Sequence, residues 1–171
     1  MATGTISSFD YPNWQLLSTV TPTAGTATTS FTGLSGYNSY KLIFKDLGYS
    51  SGCYGYVTFN DDVTQFNYNS YGDYYNQNSN TTQSFGGTND GNIRLYGPAG
   101  GTQFTGSIDI TNTNQLVIPV DVKTNVSYLG YPSYSQGTWF KWSSPETLTK
   151  ITVTWTANYN GNGSFKLYGL A

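Results

Sequence analysis

From Ile151 to Ala157 the chain reads Ile-Thr-Val-Thr-Trp-Thr-Ala, which puts Ile151, Val153 and Trp155 on one face and three threonines on the other. Side chains of a strand alternate between its two faces, so this pattern predicts a strand with one side buried and one side wet. The same period of two recurs along the chain. Leu42 and Phe44 oppose Lys41 and Lys45, and Val57 and Phe59 oppose Tyr56 and Thr58. Phe104, Ile108 and Ile110 alternate with Thr105, Ser107 and Asp109. Phe140 and Trp142 flank Lys141, and Phe165 and Leu167 flank Lys166. Ile118, Val120 and Val122 flank Pro119 and Asp121. Because proline has no N–H to donate, Pro119 predicts an edge strand there. Weaker strands are predicted over 14–20, 27–31, 92–96 and 126–131. No segment sustains a helical period, and Thr, Tyr and Val dominate over Ala, Glu and Lys, which favours strands.

About ten short strands at regular spacing predict an all-β, antiparallel β-sandwich, jelly-roll-like in its winding. Turn chemistry agrees. Asn89-Asp90-Gly91-Asn92 and Asn160-Gly161-Asn162-Gly163 supply residues that accept positive φ in tight hairpins. Residues 14–171 form the predicted domain. Residues 1–13 carry no alternation and read either as a frayed terminus or as an arm docking on a neighbouring subunit through Phe9 and Tyr11. A second unpatterned tract, from Phe66 to Asn80, is rich in Tyr and Asn and reads as a loop between strands.

Composition narrows the function. At 171 residues one domain can bury roughly 70% of its unfolded surface, so a core without disulfides is feasible. Charged residues are 9% of the chain, against about a quarter in typical domains, so the polar surface must come from Thr, Ser, Asn, Gln and Tyr. The seven cations are scattered and the net charge is −2, which disfavours nucleic acid as a partner. The single cysteine, Cys53, allows no intrachain disulfide. The chain shows neither a signal peptide nor a membrane-length apolar run, so a soluble protein made in the cytoplasm is expected.

Candidate chemistry is sparse. Histidine is absent, which removes the commonest general base and metal ligand. No phosphate loop or nucleophile elbow occurs, so we expect a non-enzymatic protein with no cofactor. Asn60, Asp61 and Asp62 could hold a hard cation such as calcium, but the same triplet is ordinary turn chemistry and is read that way. Tyrosine gives broad contact area at low entropic cost, and Asn gives adaptable hydrogen bonds. Tyr68, Tyr71, Tyr74 and Tyr75 are therefore candidate binding residues for a protein partner or a glycan, or else cover one end of the core.

The order of several segments resembles small phage virion proteins with a β-sandwich or jelly-roll domain. The matching pieces are the opening strand Trp14–Val20, then Phe31-Thr32-Gly33-Leu34 and Tyr40–Phe44. Val57-Thr58-Phe59-Asn60-Asp61-Asp62 leading to Asn67-Tyr68 is similar to that family's R-F-N-x-D…N-Y element. Phe104–Ile110, Ile151–Val153 and the final Phe165-Lys166-Leu167-Tyr168-Gly169 follow in order. Thr58 departs from the family pattern, which often has a basic residue before F-N, so a charge-dependent role of that strand is not carried over. The resemblance implies a virion location and a capsid decoration (cement) protein, often trimeric, whose partner is the major capsid protein. The alternative is a tail or fibre module that recognises a host glycan or another tail protein.

Overall fold

The computed structural model describes residues 14–51, 54–76, 81–88, 91–96, 103–111, 113, 115–126, 131–140 and 146–171. Phe9, Tyr11, Cys53, Lys141 and Trp142 lie outside the described residues. Twelve strands occur among those described: β1 (Gln15–Val20), β2 (Thr28–Thr32), β3 (Ser39–Gly48), β4 (Tyr54–Phe59), β5 (Tyr68–Asn76), β6 (Thr81–Thr88), β7 (Ile93–Tyr96), β8 (Gln103–Ile110), β9 (Val117–Val126), β10 (Tyr131–Phe140), β11 (Lys150–Trp155) and β12 (Ser164–Leu170). A single 3-10 turn, Gln65–Asn67, precedes β5.

The strands form two antiparallel sheets. The larger has the order β1-β12-β3-β8-β9-β10-β5-β6, and the smaller β2-β11-β4-β7. The sheets pack face to face, so the all-β sandwich expected from alternation is the observed architecture. Its jelly-roll winding stays an expectation.

Alternation located the core correctly. Leu42, Phe44, Val57, Phe59, Ile108, Ile110, Ile118, Val120, Val122, Ile151, Val153, Trp155, Phe165 and Leu167 are all buried. Aromatic rings bridge the layers. Phe31 on β2 meets Phe165 on β12 at 6.0 Å between centroids, and Phe59 on β4 meets Trp139 on β10 at 5.2 Å. On the wet face of the smaller sheet, Ser30 and Thr152 approach to 3.1 Å between hydroxyls, a cross-strand pair of the kind that steadies a solvated sheet face.

Three expectations are corrected. The tract after Phe66 is not a loop. It forms β5, which pairs with both β10 and β6. The strand predicted over 126–131 divides into the end of β9 and the start of β10, with 127–130 outside the described residues. Finally, Pro119 sits inside the larger sheet, between β8 and β10. Its carbonyl accepts from Thr111 N at 3.2 Å, so its nitrogen faces the same side, one residue past the end of β8. Against Thr138 on β10 it occupies the register position that exchanges no hydrogen bond. The missing donor therefore leaves one of the two bonds of the Thr111–Pro119 pair, at the very end of the β8–β9 ladder.

Gly137 lies close both to β5 of its own sheet and to β7 of the opposite layer. A Cβ there would lie 2.7 Å from the Asn69 carbonyl oxygen and 2.9 Å from Ile93 Cδ1 on β7. Backbone cannot yield as a flexible side chain does. Gly137→Ala should therefore lower unfolding free energy by about 1–3 kcal/mol, the usual cost of overpacking, measured by chemical denaturation. An unchanged denaturation midpoint would show that the layers can part there at no cost.

Candidate functional site

The Asn60-Asp61-Asp62 triplet follows β4 in a turn that only a few residue types tolerate. Asn60 and Asp61 have φ of 51° and 59°, in the left-handed region that Asn and Asp enter more readily than other non-glycine residues. Asp62 N closes the turn on the Phe59 carbonyl at 2.8 Å. The three side chains then diverge. Asn60 Oδ1 accepts from Thr149 N at 2.8 Å and from Lys150 N at 3.0 Å. Its Nδ2 donates to Glu146 Oε1 at 2.8 Å and to the Thr147 carbonyl at 2.9 Å. Asp61 forms an ion pair with Lys150 at 2.7 Å.

Asp62 turns the other way, toward the larger sheet. Its Oδ1 accepts from Thr64 N at 2.9 Å, which fixes the turn leading into the 3-10 segment. Its Oδ2 accepts from Asn67 Nδ2 and from the Trp139 indole N–H, both at 2.8 Å. Burial alone would raise the Asp62 pKa, but the bonds from Trp139, Asn67 and Thr64 outweigh it and hold the carboxyl below its ordinary value. Next to it, the Tyr68 hydroxyl donates to the Asp62 carbonyl at 2.9 Å and accepts from Phe59 N at 3.0 Å. Desolvation pushes the Tyr68 phenol far above its ordinary range, opposed by the Phe59 bond and reinforced by the charges of Asp62 and Glu146, so it stays a neutral donor.

This arrangement is a structural knot. A hard cation needs several oxygens converging on one point, whereas these three side chains point at separate partners. Among the described residues, no group of three or more His, Cys, Asp or Glu could hold a metal ion.

The predicted binding residues separate. Tyr68 is only 1% exposed and stacks near Trp139, with ring centroids 6.4 Å apart. It belongs to the core and offers nothing to a partner, which corrects its place among the candidates. Tyr71, three residues on, faces outward from the larger sheet and is 55% exposed. Tyr74 and Tyr75 lie on β5, paired in register with Gln83 and Thr82, and their side chains fall outside the described ones. Phe9 and Tyr11 cannot be placed with the others, being outside the described residues.

Sequence reading missed an apolar tip. Val63 and Phe66, in the turn beyond Asp62, are 71% and 62% exposed. Leu116 and Val117, at the start of β9, are also exposed. Val117 pairs with Phe140, one register step from the Trp139–Tyr68 pair, so the four residues share one end of the sheet. Nothing in alternation could have signalled this, because the residues lie in a turn and at a strand start. No protein-family model matches the sequence, and no curated protein matches it.

The lowered Asp62 pKa has a signed consequence. The folded chain prefers the carboxylate, so its contribution is fully present above the unfolded value, about 4, and is lost as pH falls through the lower folded value. Thermal unfolding of the natural chain should therefore weaken below about pH 4, and Asp62→Asn should flatten that acid limb. An acid limb of unchanged slope in the variant would assign the effect to a different carboxylate.

Proposed function

We propose that the chain is a non-enzymatic virion structural protein, a capsid decoration protein that binds and steadies a phage head shell. The observation that carries this reading is the exposed apolar tip of Val63, Phe66, Leu116 and Val117. Exposed apolar side chains gathered at one end of a sheet suit contact with another macromolecule. Val63 and Phe66 are mounted on a turn pinned by Asp62, so binding through them would cost little conformational entropy. The surface around the tip suits wide polar contacts, because charged residues are few and Thr, Asn, Ser and Tyr abundant. Three further features support a role without chemistry. Histidine is absent, the Asp62 carboxylate is already engaged by three donors, and Asp61 is paired with Lys150.

The partner we propose is the major capsid protein, reached through the apolar tip, with residues 1–13 as the second contact if they act as the docking arm that the sequence offers as one of two readings. The chain itself works as a homo-oligomer, a trimer in the form that the resemblance implies. The second reading, a tail or fibre module that recognises a glycan, is favoured by one observation, the outward Tyr71 ring on the larger sheet.

The test pairs Val63→Ser with Phe66→Ser. Both side chains are exposed, so the melting temperature should hold within a few degrees. Attachment to particles stripped of the protein should fall at least tenfold in a sedimentation assay, and antibody labelling of untreated particles should mark the heads. Full attachment by the double variant would refute the tip as the docking surface, and labelling confined to tails would replace the head assignment by the tail one.

A further inference from the structure

We infer that the slot between β1 and β2 receives residues 7–11 of a second copy of the chain, laid in as an added strand. This extends the docking-arm reading of residues 1–13, which lie outside the described residues, by naming the surface that takes them. Phe31 on β2 packs against Phe165 on β12, so β2 lies over β12. β1 is the next strand out, and the larger sheet runs one strand past the smaller on this side. Over β1, level with the smaller sheet, lies a slot of about 460 Å³. Leu17 and Ser18 of β1 form one wall, Ser30 and Thr32 of β2 the other, and Phe31 and Leu167 the back.

The wall at β2 is an open strand edge. Trp155 N donates to the Ala27 carbonyl at 2.9 Å, one step before the Thr28–Thr154 pair. In an antiparallel ladder, pairs that exchange hydrogen bonds alternate with pairs that exchange none. Thr29 and Phe31 therefore bond to β11, while the N–H and C=O groups of Thr28, Ser30 and Thr32 face away from it. Side chains stand closer in pairs that exchange no bond, and the hydroxyls of Thr28–Thr154 and Ser30–Thr152 approach to 3.4 and 3.1 Å. Among the described residues no strand pairs with β2 on that side. Natural edges are blunted by a charge, a proline or a bulge. β2 reads Thr-Thr-Ser-Phe-Thr and pairs with β11 without a register shift, so it has none of these.

β1 decides what can use this edge. In a second copy β2 has its own β12 beneath it, and pairing β2 with β2 would drive that β12 into β1. A lone extended segment has no sheet beneath it, and would lie over β1 at the usual sheet separation of about 10 Å. No residue lining the slot is charged, so the inward side chains must be uncharged, and Phe31 and Leu167 at the back favour apolar ones.

Residues 7–11, Ser-Ser-Phe-Asp-Tyr, meet these terms. Extended, they put Ser7, Phe9 and Tyr11 on one face and Asp10 on the other. Their length equals that of β2, and Pro12, with no N–H, ends the run. Main-chain bonds to Ser30 and its neighbours supply affinity, and the rings of Phe9 and Tyr11 in the slot supply specificity. Residues 1–6, upstream of the slot, stay available for the shell contact proposed above. Arm and slot are different surfaces, so copies add head to tail and close into a ring, as the proposed trimer needs.

The isolated full chain tests this without any particle. Light scattering and native mass spectrometry at micromolar concentration should show a trimer, and deletion of residues 1–12 should leave a monomer with the circular dichroism of the folded sandwich. Ser18→Arg puts a charge into the slot, and Ser30→Pro removes an N–H that β11 does not use, at an edge where proline is tolerated. Each should move the trimer–monomer midpoint at least tenfold to higher concentration, as should Phe9→Ser. Val63→Ser with Phe66→Ser should leave the trimer intact, which separates the arm contact from particle docking through the tip. On a Cys53→Ser background, chains carrying Phe9→Cys mixed with chains carrying Ser18→Cys should form a disulfide between chains. A full chain that stays monomeric would overturn the assignment. So would a trimer that survives loss of residues 1–12, or one indifferent to both Ser18→Arg and Ser30→Pro. A chain carrying both Phe9→Cys and Ser18→Cys that closes its disulfide only on itself would place the arm in its own slot and overturn it as well.

Discussion

The carboxylate of Asp62 receives the indole N–H of Trp139, the amide of Asn67 and the backbone N–H of Thr64, and through these three bonds the turn after β4 is tied to the larger sheet. β4 belongs to the smaller sheet, and Trp139 to β10 of the larger. The chain must cross between the layers here, and the crossing is held by charge-assisted bonds, each worth about 1.5–3 kcal/mol. Asn60 secures the near side by bonding the backbone at the start of β11. Tyr68 seals the far side, satisfying both the Phe59 N–H and the Asp62 carbonyl from within the core. Remove the carboxylate and a buried indole donor, an amide and a turn lose their common acceptor together.

What can contact another molecule follows from what this knot consumes. The polar side chains around it are committed to the fold, and the turn they hold in place carries Val63 and Phe66 outward. Farther along β5 the strand period returns. Tyr68 and Ser70 go inward, while Asn69, Tyr71 and Asp73 face solvent. The same short stretch thus anchors the core and presents a polar and aromatic outer face. Rigid backbone beneath exposed side chains is what low-affinity, repeated contacts in an assembly require, because little ordering entropy is lost on binding.

Much of the fold was legible in the sequence because burial imposes a period of two. Wherever Val, Ile, Leu or Phe alternates with Thr or Lys, as in β11 and β12, the buried face can be read from the letters. β5 and β6 were not legible. β5 mixes Tyr with Asn, Ser, Gly and Asp, and β6 mixes Thr, Gln, Ser and Gly with a lone Phe, so no hydropathy contrast separates the two faces. Pro119 misled for a related reason. The rule against proline holds for a nitrogen in the middle of a ladder, and only the lengths of β8 and β9 reveal that this one falls at a ladder's end, opposite Thr111. For Tyr68 the sequence left a binding role and a core role both open, because composition cannot tell a phenol that completes a buried hydrogen-bond network from one that greets solvent. The turn reading of Asn60, Asp61 and Asp62 was sound, yet the partner that matters most, Trp139, lies 77 positions away in sequence.

A double-mutant cycle between Asp62 and Trp139 tests this account most directly. Asp62→Ala, Trp139→Phe and the double variant would be compared with the natural chain by denaturant unfolding at neutral pH. The carboxylate–indole bond predicts a coupling free energy of about 1.5–3 kcal/mol between the two sites. Additive effects, with coupling under about 0.5 kcal/mol, would contradict the claim that this bond ties the crossing turn to the larger sheet.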